Sequence, residues 1–210
     1  MSEQSDTNFL PKGAVINGYV ILDLICPGGC GGIYAVKEKK SSKKFVMKIE
    51  SFDTKQLELP AEINVLRDID SIVFPKMRDS GNSERYQANF VVMNSLGISL
   101  KEVQDFHGHR LNTELAYNLS LKMLQCIKAL HDAGYIHCDI KPKNFLIQQN
   151  PKYPLVLIDF NLSQKFDTET GQNISFKKKN KFEGTMKYAS INSLLLLSPD
   201  RSDDLISWFY

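Results

Sequence analysis

The spacing of apolar residues changes character once along this chain, near Met93, and that change constrains the fold more than any other feature. Before it, apolar and β-branched runs of strand length alternate with turn clusters: Tyr19 to Ile25, Gly32 to Val36, Phe45 to Ile49, Phe74 to Arg78 and Phe90 to Met93. Such runs predict five short strands. The connectors carry turn chemistry, with Pro27-Gly28-Gly29, Lys39 to Lys44, and Asp79 to Ser83 between the last two strands. One helix is predicted within this half, over Ala61 to Ile69, because Ile63, Leu66 and Ile69 recur at three-residue spacing. After Met93, Leu115, Leu119, Met123, Ile127 and Leu130 mark one face of a helix from Glu114 to His131, with Thr113 as N-cap and Gly134 as stop. Two short strands follow, Phe145 to Ile147 and Leu155 to Ile158, and then Asp167 to Lys181 has no usable period and reads as a long loop. A strand-rich half before a helix-rich half predicts an α+β protein with a cleft between two lobes.

Composition narrows the class. With 210 residues, 42% of them apolar, the chain can bury a core, and a formal charge of +2 is too small to make nucleic acid or an anionic membrane the main partner. No apolar run is long enough to cross a bilayer, and Met1 to Asn8 is polar without the apolar stretch of a signal peptide. The expectation is a cytoplasmic or nuclear protein. Cys26, Cys30, Cys126 and Cys138 form no C-x-x-C pair and no zinc-ligand spacing with His, so they read as reduced thiols.

Three segments carry chemistry. Ile25 to Tyr34 holds four glycines in five residues between two strand-like runs, and Gly28 and Gly31 would let backbone amides approach an anion. Taken alone, such a hairpin is more often just a tight turn. In Phe45 to Glu50 the alternation puts Phe45, Met47 and Ile49 on one face and Val46, Lys48 and Glu50 on the other. An ammonium in the middle of an apolar strand needs a partner, and Glu62 at the start of the next helix can supply it, although a snorkelling edge Lys satisfies the same pattern. Tyr135 to Ile147 then places Asp139, Lys141 and Asn144 in a short polar loop between a helix end and an apolar strand. Phosphoryl transfer needs that set: a carboxylate for the proton of an attacking hydroxyl, a cation for the transferring group and an amide oxygen for Mg²⁺. Asp159, at the end of the buried run Leu155 to Ile158, adds a second carboxylate suited to a metal that bridges phosphates.

In this order and spacing the segments resemble the eukaryotic protein kinases from about Tyr19 to the last residue. Lys141 resembles the serine/threonine-specific form of the catalytic loop. Asn144-Phe145, Val91 to Gly97 and Gly184 to Asn192 resemble the casein kinase I group, including its tau-tubulin kinase-like members. The resemblance implies a polar leader over 1–18 and a kinase domain over 19–210, divided into an N-lobe (19–93), a hinge (94–97) and a partial C-lobe (98–210). It implies ATP and Mg²⁺ as cofactors, with Asp139 as base, Lys141 on the γ-phosphate, Lys48 on the α- and β-phosphates, and Asn144 and Asp159 as metal ligands. Ile25, Ile33, Val46, Leu146 and Ile158 would line the adenine pocket, with Met93 as gatekeeper and Leu96 offering hinge backbone groups. Thr185 and Lys187 would meet a protein substrate.

Three positions depart from the family pattern: Cys26 stands at the first loop glycine, Cys138 at the Arg of His-Arg-Asp, and Asn161 at the Gly of Asp-Phe-Gly. Loss of that Arg removes the usual receptor for a phosphorylated activation loop. The departures keep a second expectation open, a catalytically impaired, pseudokinase-like nucleotide-binding or scaffold module. Between Lys165 and Lys187 six Lys face three acids, Asp167, Glu169 and Glu183, which suits acidic or already phosphorylated peptides as substrates and equally suits a merely solvated loop. Arg201 to Tyr210 resembles the start of the long central C-lobe helix, where Asp204 would tether the catalytic-loop backbone. The resemblance therefore implies a C-lobe truncated within that helix, with Trp208, Phe209 and Tyr210 exposed unless a partner covers them.

Overall fold

A computed structural model describes residues 9–28, 31–174 and 181–210. Gly29, Cys30, Lys177, Lys178 and Lys179, which the expectations above invoke, lie outside the described residues. The chain forms two compact units, one of residues 1–64 and 76–95, the other of residues 65–75 and 96–210.

The first unit is built on strands β1 (Val15–Ile16), β2 (Tyr19–Gly28), β3 (Gly31–Glu38) and β4 (Lys44–Ser51), the helix α1 (Leu59–Asp68) as far as Asn64, and strands β5 (Met77–Ser83) and β6 (Ala88–Asn94). The strands make one sheet, every pairing antiparallel, in the order β1-β2-β3-β4-β6-β5. Its core joins Ile16, Ile21, Tyr34, Met47, Phe90 and Val92. The period-two alternation along β4 is what separates Met47 and Ile49, in that core, from Val46, Lys48 and Glu50. Ala14 and Ile16 are core residues and Val15 pairs with Val20, so packed structure begins within the stretch read from sequence as a polar leader.

The stretch Asp79 to Ser83 is not the turn its composition suggested. It is the last five residues of the edge strand β5, paired from Asp79↔Val92 to Ser83↔Ala88. The turn comes later, in a 3₁₀ segment Glu84–Tyr86 closed by Gln87 at φ 45°. An edge strand tolerates polar residues because only one of its sides is paired, and the apolar run on β6 supplies that partner. Phe74 lies outside β5, buried with its ring 5.8 Å from Phe160.

The second unit holds α2 (Leu100–Phe106), α3 (Thr113–Asp132), β7 (Tyr135–Ile136), β8 (Phe145–Ile147), β9 (Leu155–Leu157), β10 (Gln164–Lys165), α4 (Ile191–Leu194) and α5 (Arg201–Phe209). Helix α3 buries Met123, Cys126, Ile127 and Leu130 and packs against β7, β9 and α5. Its cap is Asn112, one residue before the expected Thr113: the Asn112 side chain accepts from the Leu115 amide at 2.7 Å, and Thr113 is the first helical residue. Gly134, at φ 82°, ends the helix as expected. Burial pushes the Cys126 thiol up to about 12, in keeping with a reduced packing residue. Strands β8 and β9 pair as a hairpin, and β7 pairs with β10. Residues 65–75 group with this unit through bonds such as Leu157 N–H to Val73 O (2.9 Å). Trp208 is half-buried, not exposed, and its indole N–H donates to Ser120 O on α3 at 3.1 Å.

Candidate active site

In the first unit the sheet register gathers the expected residues on the face opposite the core. Ile33 pairs with Lys48, and Val46 pairs with Met93, so these four side chains are neighbours on one face. Ile25 falls at a register shift between Leu24↔Tyr34 and Cys26↔Ile33, which accounts for its exposure. Gly28 and Gly31 pair with each other beside the hairpin tip, and a Cβ on Gly31 would stand 2.0 Å from Ile49 O. Lys48 has its partner: Nζ lies 2.6 Å from Glu62 Oε2, and the Glu62 side chain is buried. Asn94, expected in the hinge, closes β6 instead, with Oδ1 accepting from Lys76 N at 2.7 Å.

In the second unit the hydrogen bond from Gly97 N–H to Ile147 O (2.7 Å) fixes the strand exit beside Leu96, while Leu146 pairs with Val156 and bridges to Ser99. Between β7 and β8, His137 is fully buried and anchors the polar loop: its Nδ1 accepts from the Asp139 amide at 3.2 Å and its Nε2 faces Ile158 O at 3.0 Å. Since Nδ1 accepts, Nε2 is the donor. Asp139 is thereby held with its carboxylate against Lys141 Nζ, which also donates to Thr185 Oγ1 at 2.8 Å. Asn144 Nδ2 donates to Asp139 O at 2.9 Å, which commits its nitrogen to the protein and leaves the amide oxygen as its donor to a cation. Ile158 N–H donates to Asn144 O at 2.9 Å and ties the end of β9 to the same loop, one residue before Asp159. Asp159 adopts φ 71° and Cys138 φ 68°, left-handed values that a non-glycine residue holds only where its surroundings fix them. For Asp159 those surroundings include the buried Phe160, whose ring lies 5.5 Å from His137.

The Asp204 carboxylate holds the base of the loop. Oδ2 accepts from His137 N (2.8 Å), Oδ1 accepts from Cys138 N (2.9 Å), and Oδ2 also meets His131 Nε2 at 2.8 Å. Lys187 is exposed and lies over the Tyr188 ring, 5.2 Å from its centroid. Gly184 brings Thr185 against the loop: a Cβ there would sit 3.4 Å from Cys138 O and 3.5 Å from Asp139 Oδ1.

Two groups escape the sequence reading. Tyr135 OH donates to Asp68 Oδ2 (2.6 Å) and Lys165 Nζ reaches the same oxygen (3.1 Å), so the Tyr135 hydroxyl and then Lys165 hold the Asp68 carboxyl below its ordinary range. No spacing signals this trio. The other is Glu50, buried and bonded to the start of α1; its place on the Lys48 face was the available signal.

Residues 19–202 match the sequence model of a family described as protein kinase domain. The chain is also similar to a probable serine/threonine-protein kinase of Dictyostelium discoideum, with 33% identity over 204 residues. That alignment covers 94% of this chain and 41% of the relative, so the chain spans about two fifths of the length of the curated protein it matches.

Proposed function

Because this chain belongs to the protein kinase domain family, we propose that it transfers the γ-phosphate of ATP to serine or threonine hydroxyls of proteins, in the manner of the casein kinase I group. The observation that carries this reading is Lys141 Nζ bonded at once to the Asp139 carboxylate and to Thr185 Oγ1. It sets a base, a cation and a residue of the substrate-facing segment within one hydrogen-bonded group. Asp139 accepts the proton of the attacking hydroxyl, and Lys141 neutralises charge on the transferring phosphoryl group. Lys48, aligned by Glu62, binds the α- and β-phosphates, and the face that carries Ile33, Val46 and Met93 receives the adenine. The Asn144 amide oxygen and the Asp159 carboxylate are hard oxygen donors that fit Mg²⁺. When bound, that ion supplies charge neutralisation at the phosphate oxygens.

The excess of Lys between Lys165 and Lys187 supports acidic or already phosphorylated substrates; of the described, exposed lysines Lys165, Lys181 and Lys187, Lys165 is paired with Asp68. Cys138 and Asn161 favour the second reading, a nucleotide-binding module without turnover. One pair of assays separates them: Mg-ATP binding by thermal shift beside phosphotransfer to casein. The kinase reading expects the wild type to do both and Asp139→Asn to bind ATP without transfer. Retained turnover in Asp139→Asn refutes the assignment of the base, and binding without any wild-type transfer favours the second reading.

A further inference from the structure

The opening of α1 is satisfied from outside the helix. The chain enters it as Glu58-Leu59-Pro60-Ala61-Glu62, with Glu58 just before the helix. A helix start leaves several amides without an intrahelical acceptor. Pro60 has no N–H to satisfy. The amides of Ala61 and Glu62 both donate to Glu58 O, at 3.1 and 3.2 Å. That leaves the amides of Glu58 and Leu59, and both donate to the carboxylate of Glu50 on β4: Glu58 N to Oε1 at 2.8 Å, Leu59 N to Oε1 at 3.2 Å and to Oε2 at 3.1 Å. Glu50 is buried, and its negative charge stands at the positive end of the helix dipole. It is a cap supplied by the sheet.

Its position gives the cap a second consequence. Lys48 and Glu50 are alternate residues on the same face of β4, about 6.6–6.8 Å apart along a strand. Leu59 and Glu62 are three residues apart on α1, about 4.5 Å along the axis and nearly one turn round. The two elements are therefore joined twice, by Glu50 to the Leu59 amide and by Lys48 to Glu62. One ion pair fixes a point and leaves the helix free to pivot about it; a second attachment fixes the direction of the first turn. We propose that Glu50 is a positioning residue for phosphotransfer: it holds the first turn of α1 so that Glu62 reaches Lys48. Its functional consequence rests on the kinase reading above, but its structural consequence does not.

The test follows the Lys48 amine without nucleotide. The 210-residue chain is treated briefly with an N-hydroxysuccinimide ester of acetic acid, and acylation of each lysine is read by peptide mass spectrometry. The Lys48 side chain is 25% exposed, enough for the reagent, and an ammonium held by a carboxylate acylates slowly. Loss of a helix cap weakens the held turn by a factor of about five, so Lys48 labelling should rise about fivefold in Glu50→Ala and by less in Glu50→Gln, which keeps one acceptor oxygen. Glu62→Ala should raise it at least as much, and the double variant no further. Exposed Lys12 and Lys128 should not change. An unchanged Lys48 rate in both Glu50 variants, with a rise in Glu62→Ala, overturns the proposal. So does an equal rise at every lysine in Glu50→Gln, which marks general unfolding. In phosphotransfer assays, Glu50→Ala should lower kcat/KM about fivefold in the wild-type background and add nothing in Glu62→Ala. Absence of all phosphotransfer would count against the kinase reading while the labelling result stands.

Discussion

Replacing Asp204 by Asn should remove a large part of the stability of the α3–α5 region. The carboxylate accepts from His137 N at 2.8 Å and from Cys138 N at 2.9 Å and meets His131 Nε2 at 2.8 Å, while Asp204 itself is buried. An amide of the same shape has one acceptor oxygen. Placed at the Oδ2 position, it keeps His137 and His131 but turns an NH₂ group toward the Cys138 N–H; placed at Oδ1, it loses the other two. One charge-assisted hydrogen bond is lost, about 1.5–3 kcal/mol, and the N–H of half-buried Cys138 is left facing a donor, about 1–3 kcal/mol, so a loss of about 2.5–6 kcal/mol is expected. Against a typical total of about 5–15 kcal/mol this is a large fraction. The chain has a single tryptophan, Trp208, on the same helix and bonded to Ser120 O, so its fluorescence reports whether α5 stays on α3. Urea unfolding followed at Trp208 should show an unchanged slope and, for slopes of about 1–3 kcal/mol/M, a midpoint lower by at least about 0.8 M. A midpoint shift below about 0.3 M would refute the claim that this carboxylate holds the loop.

Two further substitutions probe other parts of the fold. Gly31→Ala puts a Cβ 2.0 Å from Ile49 O, so β3 must move off β4; a loss of about 2 kcal/mol is expected, with faster amide exchange along β4, and unchanged exchange would contradict the register. For Asp68 the sign follows from its bonds to the Tyr135 hydroxyl and Lys165, which hold its carboxyl below the ordinary range near 3.8. The ionised form is favoured in the folded state, so its stabilisation is fully present above about pH 4 and fades as pH falls through the lowered folded value. Wild type should therefore exceed Asp68→Asn in melting temperature by a constant margin at neutral pH and lose that margin below about pH 4; a margin that widens on acidification contradicts the trio.

Several elements were legible because their cause is local. The helix from Thr113 shows five apolar residues on one face, of which Met123, Ile127 and Leu130 are buried and Leu115 and Leu119 half-buried. The β4 alternation correctly separates the core face from the face of Lys48. Helix α2 went unread although its signal is local too: Ser99 and Glu102 form a reciprocal capping box, with Ser99 N donating to Glu102 Oε2 at 2.7 Å and Glu102 N donating to Ser99 Oγ at 3.2 Å. The misread turn at Asp79 to Ser83 has a different origin, since those residues have turn chemistry and become a strand only because β6 lies beside them.

The sequence by itself determined which residue types occur in which order, and hence two carboxylates, a cation and an amide at a spacing that resembles a phosphoryl-transfer site. It also determined the division into a strand-rich and a helix-rich part, because hydrophobic period is a property of neighbouring residues. The tertiary structure alone decided how these groups are held. That Glu50 caps a helix that starts nine residues away, that His137 orients the Asp139 amide, and that Asp204 reaches back 67 residues to the amide of His137 are consequences of buried polar groups finding partners wherever the fold brings them. No local pattern encodes such a partner, since the requirement to satisfy a buried group exists only once the chain has buried it.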